Sequence, residues 1–177
     1  MMRKKPMLAY PVSDKPIDYD KPVFIQPKLD GVRCLIQYDA GKVTAYSRTG
    51  KEWKNIEHIK LNLLSFFDKH PNAILDGELY NHDFKDDFES IISMVRKTKP
   101  TEEDRVKSVD NVQFHCYDTI MEHMPYHDRA KFLISNLRDS YCVKFLPAWS
   151  VDSDERAKLY HQENLGAGYE GSILRTN

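Results

Sequence analysis

The stretch QPKLDGVRCLIQY, residues 26–38, decides how this chain folds. Its second half, from Val32 to Ile36, is an apolar run of β character, yet Lys28, Asp30 and Arg33 crowd around Gly31 within six residues. A strand built only for packing would not carry that charge. The stretch therefore reads as a hydrophobic strand anchored in a core, with a chemically equipped end. Gly31 is expected to give a ligand room to approach the backbone.

Working outward, VFIQPKL, VRCLIQY and KVTAYS read as strands, with DAGK as the hairpin turn between the last two. NIEHIKLNLLSFFDKH places Ile56, Ile59, Leu63 and Phe67 at helical spacing and is closed by Pro71. AILDGELY is a strand. DDFESIISMVRK is a helix with Phe88, Ile91, Ile92 and Val95 on one face, acids in its first turn and basic residues in its last. TKPTEEDRVKSVDN is polar and contains proline, which predicts a surface loop. Strand VQFHCYDTI, helix YHDRAKFLISNLRDS and strand YCVKFLPAW follow. VDSDERAKLYHQENLGAG is a helix opened by a capping box of Asp152 and Glu155 and stopped at Gly166 and Gly168, and GSILR is the final strand. No repeat, low-complexity tract or linker intervenes, so residues 1–177 are expected to form a single α+β domain with mainly antiparallel sheets flanked by helices.

A chain of 177 residues supports one sizeable core, and 41% hydrophobic with 30% charged residues is globular rather than disordered composition. No apolar run approaches the roughly 20 residues of a membrane span, and MMRKKPMLAY lacks the apolar centre of a secretory signal. Three cysteines without CxxC spacing argue against a disulfide framework or structural zinc and for a reducing, cytoplasmic setting. A net charge of −1 leaves a polyanionic partner open, because such binding depends on where the cations sit. His123 and His127 have the spacing of a metal pair on a helix, but Pro125 between them breaks that geometry. His115 reads as packed.

Four strand ends carry charge beside a glycine or a turn: PKLDGVR, YSRTGK, LDGELY and YEGSILR. Together they point to one site assembled from several strands. Lys28, Arg33 and Arg48 suit phosphates, and Asp76, Glu78 and Glu170 are hard oxygen ligands suited to Mg²⁺. The GxxxxGK[ST] loop is absent, which excludes an ordinary P-loop enzyme. A lysine among arginines and a metal has its ammonium form disfavoured, and the neutral amine is a nucleophile. Its attack on a nucleotide α-phosphate would form a phosphoramide and release pyrophosphate.

KLDGVR resembles the KxDGxR signature of covalent nucleotidyltransferases, the group of DNA ligases, RNA ligases and mRNA capping enzymes. SRTGK, LDGEL, FHCYD and EGSILR are similar to the motifs that follow it, in the same order, over residues 23–175. Within the group the chain looks most like the compact ATP-dependent DNA ligases of phages and large DNA viruses. The resemblance implies an ATP-grasp-like nucleotidyltransferase fold in which Lys28 becomes adenylated by ATP. Gln26 would lie near the adenine edge, the backbone at Leu29 would help to hold the base, and Tyr117 would stack on it. Arg33 and Arg48 would contact the nucleotide and then the 5′-phosphate of a nick. Glu78 would bind the ribose or a metal, Glu170 would help to hold Mg²⁺, and Asp30 and Asp76 would orient neighbours or assist the joining step. Apart from its motif, Tyr117 reads as core and Asp118 as a turn residue. The implied partner is nicked double-stranded DNA, acted on by a monomer in the cytoplasm, or in a host cytoplasm if phage-encoded. Capping with GTP, RNA ligation and a non-catalytic nucleotide-binding module are the alternatives. The family's fifth motif, a KxK that follows EGxxxR, and its OB-fold domain do not occur in these 177 residues, so the chain is expected to be a C-terminally incomplete nucleotidyltransferase domain.

Overall fold

The strands form two sheets in the computed structural model, which describes residues 1–176, and the central strands of the larger one are buried on both faces. In the smaller sheet, β1 (Val23–Lys28) lies between β7 (Trp149–Val151) and β8 (Gly171–Thr176), antiparallel to both. Val23 and Ile25 are buried with Val151 and with Ala157 of helix α6 (Asp154–Gly166). Pro27 has no N–H for a ladder, and it sits where only β8 pairs, because β7 reaches no further than Ile25.

The larger sheet has the order β3-β2-β4-β5-β6, comprising β2 (Val32–Asp39), β3 (Lys42–Tyr46), β4 (Ile74–Tyr80), β5 (Gln113–Thr119) and β6 (Val143–Phe145). Its neighbours are antiparallel except for β5 and β6. Ala40 and Gly41, both at positive φ, close the β2–β3 hairpin where DAGK places it. Cys34, Ile36, Leu75, Leu79, Phe114 and Cys116 pack in one core against α1 (Glu57–Asn62), α2 (Leu64–Lys69), α3 (Phe88–Val95) and α5 (Tyr126–Asn136). Full burial of such side chains is worth about 1.5–3 kcal/mol each.

Four expectations are corrected. The helix expected over 55–70 is two short helices that meet at Leu63, whose ψ of −2° opens the helical turn. YCVKFLPAW is two strands, because Pro147 interrupts it and the chain crosses there from β6 in one sheet to β7 in the other. Helix α6 is capped by Ser153, whose side chain accepts from the Arg156 N–H, rather than by Asp152.

The expected loop after Pro100 contains α4 (Glu102–Asn111). Thr101 and Asp104 form a reciprocal capping box that satisfies the first free N–H groups. Ser108 is the one buried residue of this helix, so no apolar periodicity announces it. Thr101→Ala is expected to lower the urea-unfolding free energy by about 1 kcal/mol. An unchanged midpoint would show that the cap contributes nothing.

Candidate active site

Lys28 ends β1, and the antiparallel register sets it opposite Gly171, which brings Glu170 alongside. The Glu170 N–H donates to the Lys28 carbonyl at 3.2 Å, and the two side chains form an ion pair. They are 43% and 44% exposed, so this pair lies open to solvent and exchangeable. Lys28 thus meets a carboxylate rather than the expected arginines.

Arg33 is committed elsewhere. It stands opposite Glu78 in the β2–β4 register, but its guanidinium reaches Asp76 through two bonds of 2.9 and 2.6 Å. Asp76 in turn faces Asp118 on β5, and both carboxylates are buried. Facing buried anions would repel each other unless each had its own cation. Asp118 accepts from Arg129 of α5 at 2.8 and 3.0 Å and from Arg175 of β8 at 3.0 Å. It is a buried strand residue binding two arginines, not a turn residue.

Arg175 also donates to Gln26 Oε1 at 2.5 Å, while Gln26 Nε2 donates to the carbonyls of Leu146 at 2.8 Å and Tyr117 at 3.4 Å. The buried Gln26 amide is therefore fully engaged by protein groups. Tyr117 is half-buried, with the guanidinium carbons of Arg33 and Arg175 at 5.6 and 5.2 Å from its ring centre. Its hydroxyl donates to Glu78 Oε2 at 3.3 Å. Buried Leu29 packs with Tyr80 and Leu146, and Tyr117 and Tyr169 lie against that cluster.

Burial pushes the Glu78 carboxyl up to about 8, outweighing the opposing pulls of Arg33, the Tyr117 hydroxyl and Lys28. Gly31 explains how Glu78 comes to be covered. A Cβ at Gly31 would lie 2.5 Å from the Leu79 carbonyl oxygen and 2.7 Å from Glu78 Cγ. The absent side chain admits strand β4, a correction to the expectation that the room is kept for a ligand. Arg48 stands apart from this group. It is exposed in the turn of residues 47–51, which follows β3 and doubles the chain back on itself. It makes no ion pair among the described residues.

Two carboxylates, Glu78 and Glu170, lie within electrostatic reach of Lys28. Mg²⁺ is usually held by one or two carboxylates together with substrate phosphates, so this donor set suits it. Among the described residues, no group of three or more His, Cys, Asp or Glu forms a self-sufficient metal cage. Sequence reasoning missed the scaffold of Asp118, Arg129 and Arg175. Asp118 and Arg175 stand inside FHCYD and EGSILR, but nothing local pairs them.

A family model described as ATP dependent DNA ligase domain matches residues 6–177. A DNA ligase of Archaeoglobus fulgidus is 25% identical over 165 residues, covering 85% of this chain and 28% of that protein. DNA ligases of African swine fever virus are 27% identical over 158 residues, covering 85% of this chain and 36% of theirs. The chain spans about a third of the length of these curated relatives. The Chlorella virus DNA ligase-adenylate structure superposes with a TM-score of 0.69 at 20% identity, over 97% of this chain and 59% of that one. The fold is therefore shared with that ligase.

Glu78 has a pH signature. Its folded-state value of about 8 lies above its ordinary 4.5, so the folded chain binds more protons between them and stability falls as pH rises through that window. With chelator present, wild type is expected to lose roughly 2–4 kcal/mol relative to Glu78→Gln between pH 5 and pH 8.5, measured by urea unfolding. Parallel pH profiles would contradict the assignment.

Proposed function

The chain belongs to the family of ATP-dependent DNA ligase domains, and from that membership we propose that it is the adenylation domain of a DNA ligase, with Lys28 as the nucleophile. The convergence of Lys28, Glu170 and Glu78 where the two sheets meet carries this reading. Lys28 ends one strand of the smaller sheet, and Glu78 lies on the larger sheet. A solvent-open amine stands at the end of a strand, with the Glu170 carboxylate beside it as an acceptor for its proton.

The Lys28 amine, once neutral, attacks the α-phosphorus of ATP. An N–P bond forms, the bond to the bridging oxygen breaks, and pyrophosphate leaves. Glu170, already in contact with the ammonium, is placed to take the proton. AMP then passes to the 5′-phosphate of a DNA nick, freeing Lys28, and attack by the 3′-hydroxyl seals the strand and releases AMP. Mg²⁺ held by Glu78, Glu170 and phosphate oxygens would offset the charge that develops on the transferring group.

Tyr117 offers a ring for the adenine, with its hydroxyl anchored on Glu78. Gln26 and the buried Leu29 support that pocket, Gln26 by holding the Tyr117 carbonyl. Arg33, which Asp76 orients, and the exposed Arg48 would contact the phosphates. Nicked duplex DNA is the proposed partner. Residues 1–177 are proposed to be one nucleotidyltransferase domain of a protein whose full reaction also needs an OB-fold domain.

Incubation with Mg²⁺ and ATP labelled at the α-phosphate is expected to leave label on Lys28, located by peptide mass, with none on Lys28→Ala, and the 177 residues alone are expected to take it up less efficiently than a longer form that includes the fifth motif. An adduct formed only from GTP would point instead to capping, and no adduct with either nucleotide would leave a binding module. Sealing by the full-length protein of nicked RNA but not nicked DNA would favour an RNA ligase.

A further inference from the structure

The turn that carries Glu170 is held by a residue from outside it. Helix α6 ends at Gly166, and its last carbonyls have no partner within the helix. The chain reverses through Gly168, at φ +89°, where any larger residue would be strained and would meet the Lys85 stem. The Tyr169 N–H returns to the Asn164 carbonyl, and the Glu170 N–H reaches Lys28. The carbonyl of Ala167, in the middle of this turn, accepts from His82 Nε2 at 3.0 Å.

His82 follows β4, four residues beyond Glu78, and its other ring nitrogen lies 2.6 Å from the Tyr80 hydroxyl. The Ala167 carbonyl can only accept, so in the neutral ring Nε2 carries the hydrogen and Nδ1 accepts from Tyr80. The ring also lies against Tyr169, tilted by 36° with centres 4.6 Å apart. His82 thus touches the residue before Glu170 and the turn carbonyl three residues before it. Through Tyr80 it also grips the end of the strand that bears Glu78.

We propose that His82 is a positioning residue for lysine adenylation, tying the 166–170 turn to the end of β4 and so setting Glu170 against Lys28. The inference rests on the adenylation reading above. It concerns Glu170, beside the reacting amine, rather than the base pocket of Tyr117, Gln26 and Leu29, so its loss should slow the bond-forming step far more than it weakens nucleotide binding. Glutamine can keep a donor N–H on the Ala167 carbonyl, whereas alanine cannot.

The test compares wild type, His82→Ala and His82→Gln in two measurements on the 177-residue chain. In single-turnover labelling from α-labelled ATP, His82→Ala is expected to reduce the maximal rate about tenfold while half-saturating ATP changes less than about twofold, and His82→Gln to restore the rate to within about threefold. By hydrogen exchange without nucleotide, the Glu170 amide is expected to exchange faster in His82→Ala and to recover protection in His82→Gln. Unchanged exchange at Glu170, an unchanged maximal rate, or a defect confined to half-saturating ATP would each overturn the proposal. Failure of the wild-type chain itself to form an adduct would count against the adenylation reading, and the exchange comparison would still decide the His82 tie.

Discussion

The Asp118 carboxylate is the point on which the two sheets depend. It belongs to β5 of the larger sheet and accepts from Arg175 of the smaller sheet and from Arg129 of α5. All three side chains are largely buried, and both guanidinium carbons lie within 5.6 Å of the Tyr126 ring centre. Removing one partner of such a group strands a charge away from water, at a cost of about 3–5 kcal/mol. The same Arg175 also holds Gln26 on β1, two residues before Lys28. One carboxylate therefore fixes where the lysine-bearing strand lies relative to the strand that carries Asp76 and Glu78.

The ion pairs divide by exposure, and the division suits the group transfer proposed for this site. Arg33 with Asp76, and Asp118 with its two arginines, are buried and bidentate or shared, which makes them fixed geometry. Lys28 with Glu170 is open to solvent and single, a contact worth little and easily exchanged. In its proposed role Lys28 sheds a proton, takes up AMP and gives it away, and so needs partners it can leave. Its supports must hold still while it does so.

Much of this was legible in the sequence because it is local. Short β-rich apolar runs announced the strands, and DAGK announced a hairpin. The charged strand ends PKLDGVR, LDGELY and YEGSILR marked the residues that the fold gathers. Non-local pairings were not legible. Asp118 meets Arg175 at a separation of 57 residues, and His82 meets Ala167 at 85, distances over which no periodicity speaks. Helix α4 was missed because it has no apolar face, although its Thr101 and Asp104 cap stood in the sequence. Gly31 was read as space for a ligand, since sequence cannot say that strand β4 fills it.

The most direct measurement is a double-mutant cycle between Asp118 and Arg175, using Asp118→Asn, Arg175→Met and the combined variant in urea unfolding. A carboxylate that joins the sheets should give a coupling free energy of about 1–3 kcal/mol, with the second substitution costing far less once the first is present. Effects that add to within roughly 0.5 kcal/mol would contradict the account, because the sheets would then be held together by something other than this buried contact.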